Sequence, residues 1–160
     1  MSIFRSILIA FMLLAGVGVG FSAEEGGEQA LRLKTTLLWG TNDDPAKHKD
    51  CKPADEAIAK KFRKVFKWKH YFEIDTKEVT VQPQKVHSVK MSKKSELKIR
   101  NLGKLDNPKA KKDSYRIEVK LFGEGKQVIN RKQPIAPGET ITLAGNDKND
   151  TAWFIAVTRH

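Results

Sequence analysis

From residue 69 onward the apolar residues of this chain recur at every second position, in short blocks separated by polar, turn-forming stretches: KHYFEID, EVTV, VHSVKM, ELKIRNL, SYRIEVKLF, KQVINRK, ETITLAG and TAWFIAVT. A period of two places neighbouring side chains on opposite faces of an extended strand, and none of these blocks carries the 3.6-residue period with which a helix buries one face. In SYRIEVKLF, Tyr115, Ile117, Val119 and Leu121 alternate with Arg116, Glu118 and Lys120, so one face meets a core and the other meets water. The last block is apolar on both faces, with Trp153, Ile155 and Val157 alternating with Phe154 and Ala156, which predicts a central strand. Gly123-Glu124-Gly125, Pro137-Gly138 and residues 146–150 (NDKND) have turn chemistry. About eight strands at spacings of roughly ten residues favour an antiparallel β-sandwich or partly open barrel. No internal repeat and no linker divides residues 31–160, which are expected to form a single β-rich domain.

The segment before these blocks reads differently. Residues 31–41 (LRLKTTLLWGT) place Leu31, Leu33 and Leu37 at alternate positions and predict a first strand, with Trp39 beside Gly40 closing the core at its end. After the polar stretch 42–52, Pro53 suits a first helical position, and Asp55 and Glu56 suit the positive end of a helix dipole. At about 100° per residue, Ile58, Phe62, Val65 and Phe66 share one arc. Lys60, Lys61, Arg63, Lys64 and Lys67 fall opposite, so an amphipathic helix with a basic outer face is expected over about residues 53–67. It should pack across an open end or face of the strands. The polar connection 103–114, with Lys104, Lys109, Lys111 and Lys112, is expected to be the most mobile part.

Arg5 followed by the apolar run 6–21 and the small residues Ser22 and Ala23 predicts a cleaved signal peptide at residues 1–23. The run is shorter than the ~20 residues that span a bilayer, which argues against a membrane anchor. Residues 24–30 (EEGGEQA) are expected to be a flexible N-terminus, and the processed chain to be secreted or periplasmic. Cys51 is the one cysteine, which excludes an internal disulfide framework; it reads as an incidental loop cysteine, with a free thiol or an intermolecular bridge as the alternatives. Asn149-Asp150-Thr151 matches a glycosylation sequon, relevant only to a eukaryotic source.

Motifs for chemistry are sparse. The chain has no G-x-S-x-G, H-E-x-x-H, P-loop or dinucleotide fingerprint, and no cofactor is expected. Ser88, Ser92, Ser95 and Ser114 have no activating context. Glu73 and Asp75 on one strand face read as solvated carboxylates beside Lys77 rather than as an acid/base pair. His48-x-x-Cys51, His70, His87, Met91 and His160 are the candidate soft or borderline metal ligands. Cys51 nevertheless precedes the strand-rich half, and Met91 shares the apolar face of Val89, so no metal site is expected.

Charge is the larger signal: 30 Lys and Arg against 19 Asp and Glu, a net +11. The candidate partner- or polyanion-binding residues are Lys60, Lys61, Arg63, Lys64 and Lys67 on the helix, Lys93 and Lys94, and Lys109, Lys111 and Lys112. Lysines on edge strands also solubilise and discourage aggregation, and aromatic residues do not interleave with the basic ones as in single-strand nucleic-acid binders. The leading expectation is an exported, non-enzymatic β-sandwich module for protein–protein interaction or for a structural place in a cell-envelope assembly. Strand addition at a sheet edge would be its mode, steered toward an acidic partner. A basic protein binding anionic lipid, an anionic membrane surface, polysaccharide or nucleic acid is the second reading. A small secreted enzyme of unfamiliar type, using Cys51, His70, Glu73 or His87, is the third; no small-molecule substrate is evident.

Overall fold

The alternating blocks become strands of two antiparallel sheets in the computed structural model, which describes residues 29–146 and 150–160. The signal peptide expected at residues 1–23, residues 24–28 of the expected flexible N-terminus, and residues 147–149, including the sequon Asn149, lie outside the described residues. The strands are β1 (Leu31–Thr41), β2 (Lys52–Pro53), β3 (His70–Val81), β4 (Val86–Lys90), β5 (Ser95–Lys104), β6 (Tyr115–Gly123), β7 (Lys126–Ile135), β8 (Thr140–Asn146) and β9 (Ala152–Arg159). One sheet has the order β2-β3-β1-β9-β8 and the other β4-β5-β6-β7.

The inner faces of the two sheets share one apolar core. Leu31, Leu33, Ile155 and Val157 from the first meet Leu97, Ile99, Ile117 and Val119 from the second, and Met91 belongs to the same cluster at 2% exposure. Burying each such side chain is worth about 1.5–3 kcal/mol before entropy is counted. The turn β6–β7 is the two-residue Glu124-Gly125, both with positive φ (49° and 79°), the pairing whose twist matches that of the flanking strands. At Ala136–Glu139, Gly138 has φ 75° and Glu139 N donates to Ala136 O at 3.0 Å, which carries the chain from one sheet to the other.

β9 lies between β1 and β8, and its outer residues Phe154 and Ala156 are buried by α1 (Glu56–Arg63) and the segment that follows it. The helix is shorter than the predicted 53–67. Pro53 and Ala54 are held in extended backbone against β3, Ala54 N donating to Tyr71 O at 2.9 Å, and Asp55 then caps the helix by accepting from Ala57 N (3.0 Å) and Ile58 N (3.3 Å). The last turn closes at Lys64, leaving Val65, placed by periodicity on the apolar arc, 74% exposed. Phe62, Phe66, Trp68 and Tyr71 surround Phe154 at ring separations of 5.0, 4.7, 5.7 and 5.6 Å. Gly40 admits this cluster, since a Cβ there would stand 2.8 Å from Phe154 Cε2.

KHYFEID and EVTV, two blocks in the sequence, form one continuous strand, β3, broken in phase by a bulge. Leu37 pairs with Asp75 and Leu38 with Glu73, so Ile74 is the extra residue. Trp39 is half-buried against Phe72 (5.7 Å) and His48 (4.8 Å), the latter on a short 3-10 turn, Pro45–His48. Among the described residues no helix is long and apolar enough to cross a membrane.

Candidate functional site

An antiparallel sheet that does not close leaves rows of unpaired N–H and C=O groups along its outermost strands, and each such edge must be guarded. β2 has only two residues, one of them Pro53. β3 beyond Glu73 carries Asp75, Lys77 and Glu78, and β4 ends on Lys90. β7 carries Lys126, Arg131, Lys132 and Pro134. β8, with the sequence TITLAGN, has neither charge nor proline, and among the described residues its one strand neighbour is β9. Ile141 and Leu143 point into the core, while Thr142 and Ala144 are exposed on the outer face.

Beside this edge runs a groove of about 600 Å³. One wall is Ile58, Val65 and Phe66 from α1 and its following turn, and the other is Gln133 and Pro134 at the end of β7. Residues 140–142 of β8 lie between them, and Lys61 and Lys111 stand at the rim. The groove therefore combines an outer strand edge and an apolar wall with Lys61 at its rim, where Lys111 is paired with Glu139.

Lys61 and Lys111 come from two of the sequence-predicted clusters, 50 residues apart in the chain, and the fold brings them to one groove. The others are not gathered there. Arg63 pairs with Glu56, Lys67 with Asp150 (2.6 Å) and Lys94 with Glu124 (3.1 Å). Among the described residues Lys60, Lys61, Lys64, Lys93, Lys109 and Lys112 make no ion pair, and Lys93 and Lys94 lie at the β4–β5 turn of the other sheet. The outer edge carries no charge signal in the sequence, because what marks it is the lack of any charged residue or proline in TITLAGN.

The groups considered for chemistry sit elsewhere. Glu73 pairs with Lys52 at 2.7 Å and Asp75 with Lys77 at 3.2 Å. His48 Nε2 lies 3.4 Å from Asp43, and His87 Nε2 accepts from Gln82 N at 2.9 Å. Among the described residues no hydrogen bond joins any two of Cys51, His70, Glu73 and His87, and no three His, Cys, Asp or Glu side chains are grouped to hold a metal.

No protein-family model, curated protein or solved structure matches this chain.

Glu139 ties the groove margin to the sheet crossover. Its carboxylate pairs with Lys111 and accepts from Ala136 N at 2.9 Å, and these two hydrogen bonds, Lys111's first, hold its carboxyl below the ordinary value of 4.5. A depressed carboxyl contributes stability above its unfolded value and loses it as pH falls through the folded one. The contribution should thus be complete above pH 4.5 and fade below it. Lys111→Gln is expected to move the Glu139 midpoint upward toward 4.5, read by NMR titration of the side-chain carboxyl; an unmoved midpoint would show that the backbone bond alone sets it.

Proposed function

We propose that this chain is an exported, non-enzymatic β-sandwich module that accepts an extended, acidic segment of a partner protein as an added strand along β8, in a protein–protein contact or a cell-envelope assembly. The carrying observation is that, among the described residues, β8 alone of the outer strands has neither charge, proline nor brevity to guard it, and that it faces an apolar wall. Export rests on the apolar run 6–21 after Arg5. Charge complementarity selects the occupant. Pairing β8 with a second copy would bring two groove margins with Lys61 together, whereas an acidic strand finds Lys61 free of an ion pair among the described residues.

The test compares pull-downs from native envelope extract with purified protein and with the doubly substituted Thr142→Glu/Ala144→Glu form, each washed at low and high salt. Both positions are exposed, so the fold should tolerate the change. An identified partner that survives high salt, is retained about tenfold less by the variant, and protects β8 amides from hydrogen exchange would carry the reading. Unchanged retention by the variant, loss of all material at high salt, or a β8-dependent homodimer in sedimentation would overturn it.

A further inference from the structure

The outer face of the four-stranded sheet, on the opposite side of the molecule from α1, carries a second basic surface that the clusters singled out above touch only at its end. Leu97, Ile99 and Val119 point inward with no exposure, so Lys98, Arg100 and Lys120 point outward. Lys98 and Lys120 are direct cross-strand partners, an arrangement of like charges that costs stability. Their ammonium groups diverge: Lys98 lies over the Phe122 ring at 4.7 Å, and Lys120 turns to Glu118 at 3.4 Å. Glu118, buried to 7% exposure, also holds Lys132 at 3.7 Å, and Arg100 Nε donates to Gln84 O at 3.1 Å.

Between these side chains lies a depression of about 340 Å³, lined by Lys98, Arg100, Lys120 and Glu118 with Val86 and Phe122. The three cations outnumber the one carboxylate, which is already engaged by Lys120 and Lys132. A second hollow, about 510 Å³, shares Lys98 and Phe122 and continues past Lys90 to Lys93 and Lys94; its four lysines outnumber the carboxylates Glu96 and Glu124, the latter paired with Lys94. At about 3.3 Å per residue the track from Arg100 to Lys94 is roughly 20 Å long.

We infer that this track is a binding site for a linear acidic glycan, whose carboxylate or sulfate groups enter the two hollows. A concave track suits a chain whose charges enter successive hollows; a planar lipid surface would meet only its raised margins. The one aromatic ring, Phe122, is half-buried and covered by Lys98, so it offers no platform for stacking a nucleic-acid base. The site is independent of β8, and both can be occupied at once.

The probe is a size-defined heparin oligosaccharide titrated calorimetrically into the purified protein at low salt. Saturable binding is expected, weakened roughly tenfold or more by Lys98→Gln/Lys120→Gln and with a shallower salt dependence. Lys60→Gln/Lys61→Gln/Lys64→Gln should bind as the unaltered protein does. Matched-charge oligothymidylate and phosphatidylglycerol vesicles should bind more weakly than the glycan. No saturable binding, an equal loss in the helix variant, or preference for oligothymidylate or vesicles would overturn the assignment. Thermal unfolding verifies that the variants are folded. If the first pair is not, Lys93→Gln/Lys94→Gln at the end of the track must still weaken glycan binding about threefold, and unaltered binding there overturns the site.

Discussion

Phe154→Ala is expected to cost about 3–5 kcal/mol of folding stability, among the largest penalties open to a single substitution in this chain. The ring has no exposed surface and lies against Phe62, Phe66, Trp68 and Tyr71, which come from α1, from the segment after it and from β3. Its removal leaves a cavity that this ring of aromatics cannot collapse to fill, because Leu38 and Ala156 fix the sheet beneath. The helix has only eight residues and would be marginal alone, so its order depends on this contact. Urea denaturation of the variant should show the lowered midpoint, with loss of aromatic near-ultraviolet dichroism at concentrations where the sheets persist. A penalty below about 1 kcal/mol would mean that the helix is not docked through Phe154.

Arg159→Met is expected to cost about 2–4 kcal/mol, through backbone rather than side-chain cores. Arg159 is 7% exposed, and its guanidinium donates to Asp113 O and to Ile135 O (3.2 Å) and stacks over Tyr115 at 4.8 Å. The flanking backbone joins in, since Gly138 N donates to Arg159 O at 2.9 Å and Arg159 N to Glu139 O at 3.0 Å. One side chain thus fastens the β5–β6 loop and the β7–β8 crossover to the end of β9. Methionine keeps most of the length but leaves both carbonyls without their charged donor. Because the crossover sets one wall of the β8 groove, the variant should lose partner retention as well as stability, and denaturation combined with the pull-down distinguishes it from Thr142→Glu/Ala144→Glu, which should lose retention alone.

How much of this was legible in the sequence depended on whether each signal was local. Alternation in SYRIEVKLF and the doubly apolar TAWFIAVT identify a half-buried and a central strand; β9 lies between β1 and β8, and β6 turns Tyr115, Ile117, Val119 and Leu121 inward, although Glu118 on its outer face is buried rather than in water. The sequence identifies neither the sheet to which each strand belongs nor the order within it, because those depend on pairings between distant segments such as β1 with β9. The split of β3 into two blocks has a physical cause, since the bulge at Ile74 inverts the alternation and a period-two search sees a break. The helix boundaries shifted because a tertiary bond, Ala54 to Tyr71, outweighed the local preference of Pro53 for a first helical turn. For the candidate site, lysine runs located Lys61 and Lys111 as cations but not their shared groove. Lys98, Arg100 and Lys120 form no run along the chain, each being a single cation between uncharged neighbours, and only strand pairing collects them.

Strand β3 is in effect a text read in two frames. Before Ile74 its odd-numbered Tyr71 faces the helix, and after it the odd-numbered Val79 and Val81 face the opposite sheet. Parity along the chain therefore differs from parity in the sheet, because Ile74 is counted in the one and unpaired in the other. A polar residue in place of the half-exposed Ile74 preserves both frames. Excising it would merge them without turning either end over: Glu73 and Asp75 would stand side by side opposite Leu38 and Leu37, with Tyr71 still beneath the helix and Val79 and Val81 still toward the other sheet.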